Sequence, residues 1–157
     1  MSSRRWKLEQ VQVIPRSRSK VFEFFADAHN LEIITPDFLA FRILTPRPIE
    51  MHEGTLIDYR LTLYGIPVRW RTRIEVWEPD DRFVDMQLRG PYRYWHHLHE
   101  FEEVEQGTRM RDVVDYELPF GPLGSLAQAL FVRRSLERIF GYRRQAVTEV
   151  LCRGENQ

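Results

Sequence analysis

At 157 residues the chain has the size of one domain, and 43% hydrophobic with 13% aromatic content excludes disorder. Lys+Arg and Asp+Glu stand at 23 each, so no net field draws it to nucleic acid or anionic membrane, and the single cysteine, Cys152, excludes an internal disulfide framework. No apolar run approaches the ~20 residues of a membrane span, nor does the basic start precede a signal-type apolar stretch, so the expectation is one soluble, cytoplasmic domain over residues 1–157.

Residues 6–14 alternate, with Trp6, Leu8, then Val11 and Val13 apolar, and predict a slightly irregular strand that stops at Pro15. Ser17 and Ser19 suit the N-cap of a helix carrying Val21, Phe22, Phe24, Phe25 and Ala28. Asp27 or Asn30 starts a second short helix over 31–34, ended by Thr35 and Pro36. Two short helices in succession form a platform between strands.

Strands follow at 41–44, 55–63 and 68–77, the last two joined through Tyr64, Gly65, Ile66 and Pro67. Ile57, Tyr59, Leu61 and Leu63 share one face; Val68, Trp70, Thr72, Ile74 and Val76 share another. Pairing Leu63 with Val68 joins these faces and puts Asp58 across from Arg73 on a solvated outer surface with Arg60, Arg69, Arg71 and Glu75.

Three more strands are expected at 82–89, 93–101 and 108–118, and breakers at 119–124 precede one helix over 123–151, ~43 Å long. Ser125 suits the cap of its first turn. Its apolar stripe reads Leu123, Leu126, Ala127, Leu130 and Phe131, then shifts phase to Leu136, Ile139, Phe140, Val147, Val150 and Leu151. The shift, with Gly141 beyond it, predicts a bend or rotation. Arg143 falls on the stripe and needs a carboxylate if buried. Arg133, Arg134, Arg138 and Arg144 read as a solvated helix face, interrupted by Glu137 and Glu149.

This order predicts an α+β domain. It resembles the helix-grip fold of the START-like superfamily, which includes polyketide cyclase/dehydrase and lipid-transport proteins. Residues 27–31 (Asp-Ala-His-Asn-Leu), 34–36, 57–60, 89–92 and 119–124 resemble a bacterial SRPBCC-domain subgroup described as ligand-binding. The resemblance implies a curved antiparallel sheet of about seven strands wrapped around the long C-terminal helix, with two short helices after strand 1. It also implies an internal cavity for an apolar or amphipathic small molecule.

The chemistry concentrates on residues 93–101. On a strand, Trp95, His97, His99 and Phe101 share a face, so two imidazoles enter the interior with two aromatics. Placing Phe83 opposite Phe101 sets Asp85 beside His99 and Gln87 beside His97, while Asp112 falls opposite His97 or His99. Such a patch is a structural hydrogen-bond network, the polar end of a ligand cavity, or both. An imidazole held by a carboxylate is also a competent general base. His-x-His with an aspartate is a conceivable divalent-metal set, but two ligands two apart arise by chance. His29, His52 and His96 read as solvent-facing. The expectation is no metal and no cofactor.

The functional expectation is binding of a hydrophobic or amphipathic small molecule, for transport or sensing, without turnover. Tyr59, Trp70, Trp95 and Met110 form the wall, and Asp85, Gln87, His97, His99 and Asp112 the polar anchor. Leu130, Phe131 and Ile139 close the helix side. The alternatives are a cyclase/dehydratase-type enzyme with His97 or His99 as base and Asp112 orienting it, or an interaction module with a filled cavity. The expected partner is a lipophilic small molecule, with no nucleic acid and no membrane insertion, on a monomer or homodimer.

Overall fold

The computed structural model describes residues 4–153; residues 1–3 and 154–157 of the single-domain expectation lie outside the described residues. Seven strands form one antiparallel sheet in the order β1-β7-β6-β5-β4-β3-β2, made of β1 (Arg5–Ile14), β2 (Arg42–Ile43), β3 (Leu56–Leu63), β4 (Ile66–Glu78), β5 (Arg82–Arg89), β6 (Tyr94–Val104) and β7 (Gly107–Glu117). The C-terminal helix crosses its concave face. This is the helix-grip α+β architecture.

β1 pairs with β7 without interruption, so it carries no irregularity. Its inward positions include Gln12 and Ile14, 6% and 0% exposed, while Val13 is 48% exposed. The alternation read from Val11 and Val13 is out of phase because Gln12 is satisfied by the C-terminal helix. Its Nε2 donates to Arg144 O at 2.7 Å and to Thr148 Oγ1 at 2.6 Å.

Helix α1 (Arg18–Ala26) is capped by the Ser17 side chain, which accepts from Lys20 N. Asp27 then caps a 3-10 turn, Ala28–Glu32, by accepting from His29 N. A second 3-10 turn, Asp37–Leu39, follows Pro36 where none was expected.

The β3–β4 hairpin closes tightly. Tyr64 and Gly65 both take positive φ, 50° and 79°, the condition for a two-residue turn whose twist suits a hairpin. Leu63 therefore pairs with Ile66 and Leu61 with Val68, two residues from the expected register. A two-residue slip keeps every side chain on its face, so Tyr59 and Trp70 still point inward. It moves the outer partner of Asp58 from Arg73 to Arg71, which donates to it at 2.8 and 3.1 Å.

The C-terminal helix is three pieces: α2 (Gly121–Ala127), a π-helical turn over Gln128–Val132, and α3 (Arg133–Cys152). The extra residue in a π turn rotates the next helical segment about the axis, producing the phase shift seen in the sequence. Tyr116 fixes it by donating to buried Gln128 Oε1 at 3.0 Å. Phe120, at φ 70°, is the N-cap, so Ser125 lies beyond the first turn and does not cap it. Gly141 sits within regular α3.

Leu123, Leu126, Leu130 and Phe131 are more than half exposed, whereas Leu136, Phe140 and Val147 are buried. The expectation that Leu130 and Phe131 close the interior is corrected: the π turn directs them outward.

Two apolar clusters fill the concave side. Ile14, Val21, Phe22, Phe25, Phe101, Met110 and Val147 group under α1. Leu61, Trp70, Trp95, Val114, Tyr116, Leu136 and Phe140 group near the helix bend. Each of these large side chains contributes ~1.5–3 kcal/mol on burial.

Candidate functional site

β6 delivers Trp95, His97, His99 and Phe101 to the concave face, all under 9% exposed. β5 and β7 flank it and supply Asp85 and Asp112. Asp85 stands opposite His97 in the ladder and Asp112 opposite His99. The hydrogen bonds cross diagonally instead. His97 Nε2 donates to Asp112 Oδ1 at 2.8 Å, and His99 Nε2 donates to Asp85 Oδ2 at 2.6 Å. The two imidazoles stack at 3.7 Å, and Phe83 covers the outer face of His99 at 4.0 Å.

The register differs from expectation here too. Phe83 pairs with His99, not Phe101. Asp85 keeps its place between the histidines, but Gln87 leaves the patch. Its Nε2 donates to Tyr92 O at 2.7 Å and its Oε1 accepts from Tyr92 N at 3.1 Å, clamping the β5–β6 turn. A Cβ at Gly90 would meet Gln87 Oε1 at 2.5 Å, so this clamp requires the glycine. Met110 also leaves the site, being 1% exposed among the residues under α1.

Between the clusters lies a cavity of about 170 Å³. Tyr59, Trp70, Trp95 and Phe41 wall it; Leu136, Ile139 and Phe140 close the helix side; Asp85, His97, His99 and Arg143 form its polar end. Thr72 trims the wall, with Trp70 Nε1 donating to its hydroxyl at 3.1 Å and the Tyr59 hydroxyl 3.2 Å away. Asp112 does not face the cavity but holds His97 from behind.

Arg143 is the residue whose position carries most beyond expectation. Its side chain is 13% exposed, and its Nη2 lies 4.0 Å from Asp112 Oδ1, too far for a hydrogen bond. That nitrogen is buried without a partner among the described residues, as is His99 Nδ1, which lies 3.2 Å from Asp112 Oδ1 but out of line for a bond. A buried donor left unpaired costs ~1–3 kcal/mol, and more when charged.

The cluster balances its own charge. Burial pushes the Asp112 carboxyl up, but Arg143, His97 and His99 more than reverse this and hold it well below the usual carboxylate range. Asp85 is likewise lowered despite burial, through His97 and His99. Burial, together with the neighbouring His99, pushes His97 down to about 4. Burial also opposes charge on His99, yet its two aspartate neighbours raise it above the ordinary histidine value. Charge is thus disfavoured on His97 and favoured on His99, although the two rings stack. With Nε2 donating to Asp112, neutral His97 has an unprotonated Nδ1, 3.7 Å from Asp85 Oδ2.

Asp85, His97 and His99 bring three potential metal ligands within 4.8 Å of one another. As arranged, the set suits a hydrogen-bonded network better than a cation. The imidazoles stack with a 29° tilt, so their lone pairs run side by side, and His99 Nε2 already bonds Asp85. Arg143 adds a positive charge at the same end. The remaining histidines lie elsewhere: His29 is near Asp27, His52 Nδ1 contacts Glu53 O, and His96 lies alongside Tyr94.

A curved antiparallel sheet gripping a long C-terminal helix, with a cavity between them, defines a START-like helix-grip domain. The family model described as polyketide cyclase / dehydrase and lipid transport matches residues 5–149, and the chain belongs to that family. No curated protein matches the chain. Among solved structures, a protein from Thermus thermophilus is similar with a TM-score of 0.74 at 18% identity, covering 98% of this chain and 100% of that one. The Zhui aromatase/cyclase of a Streptomyces species is similar with a TM-score of 0.76 at 16% identity, covering 96% and 95%. A protein from Chromobacterium violaceum gives 0.72 at 11%, covering 92% and 96%. At these identities the likeness establishes the fold. No helix among the described residues is long and apolar enough to cross a membrane.

Proposed function

We propose that the protein binds a hydrophobic or amphipathic small molecule in the cavity between sheet and α3. The observation that carries this reading is an aromatic-walled cavity with its charged lining groups, Asp85, His97, His99 and Arg143, gathered at one end. That polarity suits a ligand with an apolar body and one polar end. The family's description, which includes lipid transport and cyclase members, supports the same reading.

Native mass spectrometry of the purified protein, with solvent extraction of the same sample, tests it alongside titration with small aromatic probes. Binding should be saturable and lost in Ile139→Trp, which fills the cavity. Binding unaffected by that substitution, or no binding of any apolar probe, overturns the reading.

A second reading is a cyclase- or dehydratase-type enzyme. The observation that favours it is the unprotonated Nδ1 of His97, a cavity-lining residue oriented through Nε2 by Asp112. In that case His97→Asn abolishes conversion of a bound carbonyl compound and leaves its binding nearly intact.

A further inference from the structure

We propose that the polar end of the cavity receives a neutral carbonyl oxygen carried on a single aromatic ring, with Arg143 as the donor. This rests on the cavity being a binding site and assigns the chemistry of its occupant.

Size sets the first limit. A dry apolar cavity of ~150 Å³ takes up benzene, and the space here is about 170 Å³. The space within the walls fits one ring with a short substituent. The walls agree with this, because Tyr59 and Trp70 stack with a tilt of only 20° and Trp95 meets Trp70 edge-on at 89°. Such flat and edge surfaces accommodate a further ring by offset or T-shaped packing.

The donor inventory sets the second limit. Asp112 is engaged by His97, Asp85 by His99, and Thr72 by Trp70. Two buried nitrogens lack a hydrogen-bond partner among the described residues: His99 Nδ1 still has Asp112 Oδ1 3.2 Å away, whereas Arg143 Nη2, on a side chain that lines the cavity, has no carboxylate oxygen nearer than 4.0 Å. Phe25 and Phe140 lie under the guanidinium at 5.5 and 5.7 Å and hold it in place. An oxygen on the ligand supplies what this nitrogen lacks.

Charge decides which oxygen. Asp85 and Asp112 already bracket the imidazole pair at this end, and Arg143 is the one permanent cation among the lining residues. A ligand carboxylate adds a third buried negative charge without a counter-charge. A ketone or aldehyde oxygen offers the same lone pairs and no net charge.

The test is calorimetric titration at pH 7 with three ligands of nearly one shape: acetophenone, α-methylstyrene and benzoate. The proposal expects acetophenone to bind at least about tenfold more tightly than either of the others, the ratio expected of one hydrogen bond to a charged donor. In Arg143→Met that advantage over α-methylstyrene disappears while α-methylstyrene binding stays. If Arg143→Met does not fold, Arg143→Lys serves, with the advantage reduced by loss of the planar fork. Benzoate binding most tightly overturns the neutral-carbonyl assignment, and equal binding of acetophenone and α-methylstyrene by the unsubstituted protein overturns the role of Arg143. Either result leaves the cavity reading standing. Failure of all three to bind overturns that reading as well.

Discussion

Asp112 sits opposite His99 in the β6–β7 ladder, yet its Oδ1 accepts a hydrogen bond from His97, one step along the strand face, at 2.8 Å. Asp85 does the converse on β5, pairing with His97 and accepting from His99. The crossed bonds tie β5, β6 and β7 together and leave His97 Nδ1 outside both of them. They also make stability depend on pH and on each member of the cluster.

His97 is pushed down to about 4, so folding keeps it neutral where the unfolded chain takes up a proton below about 6.5. Its contribution is therefore present near neutral pH and is lost as pH falls from about 6.5 to about 4. At 1.36 kcal/mol per pH unit the loss reaches roughly 3 kcal/mol. His99, being raised, acts in the opposite sense, losing its contribution as pH rises above about 6.5. The aspartates are lowered and lose theirs only below about 4. Urea unfolding at pH 7.0 and pH 4.5 should show the His97 loss, and His97→Gln should flatten it. An unchanged pH slope in the variant would mean that His97 is not held neutral.

Asp112→Ala removes the acceptor of His97 and the nearest counter-charge of Arg143 together. A buried charge left without its partner costs about 3–5 kcal/mol, so the variant should be severely destabilised with an unchanged denaturant slope. Asp112→Asn, which still accepts from His97, should lose less. A cost under about 1 kcal/mol for the alanine would contradict the network.

Gln12→Leu should cost about 1–2 kcal/mol by releasing α3 from β1, since both Nε2 contacts to Arg144 and Thr148 are lost. Val13→Ala, at an exposed position beside it, should stay within about 0.5 kcal/mol. Equal costs for the two would show that the strand phase is other than described.

The face on which each side chain lies is legible in the sequence for β3 to β7. Trp70, His97, His99 and Asp112 point inward as alternation requires, because a strand's period of two is insensitive to a two-residue slip. Their neighbours are not legible. The tight turn at Tyr64 and Gly65 moves Asp58 onto Arg71, and the β5–β6 register moves Gln87 from His97 to the turn. Only turn geometry decides such shifts, and β4 adds two irregularities of its own. On the helix, the phase change after Phe131 is visible, but its cause, a π turn held by Gln128 and Tyr116, is not. Gln12 escapes a sequence reading because its inward placement depends on a partner more than a hundred residues away.

Everything proposed for the site requires that the space beside Trp70 and Trp95 admit a small apolar ligand. The decisive measurement is to follow the four indole N–H signals of the ¹⁵N-labelled protein during titration with acetophenone. Trp70 and Trp95 line the cavity, whereas Trp6 and Trp77 do not. Saturable shifts of the Trp70 and Trp95 signals are expected, with Trp6 and Trp77 nearly unmoved. No saturable shift, or shifts confined to Trp6 and Trp77, would contradict a binding cavity.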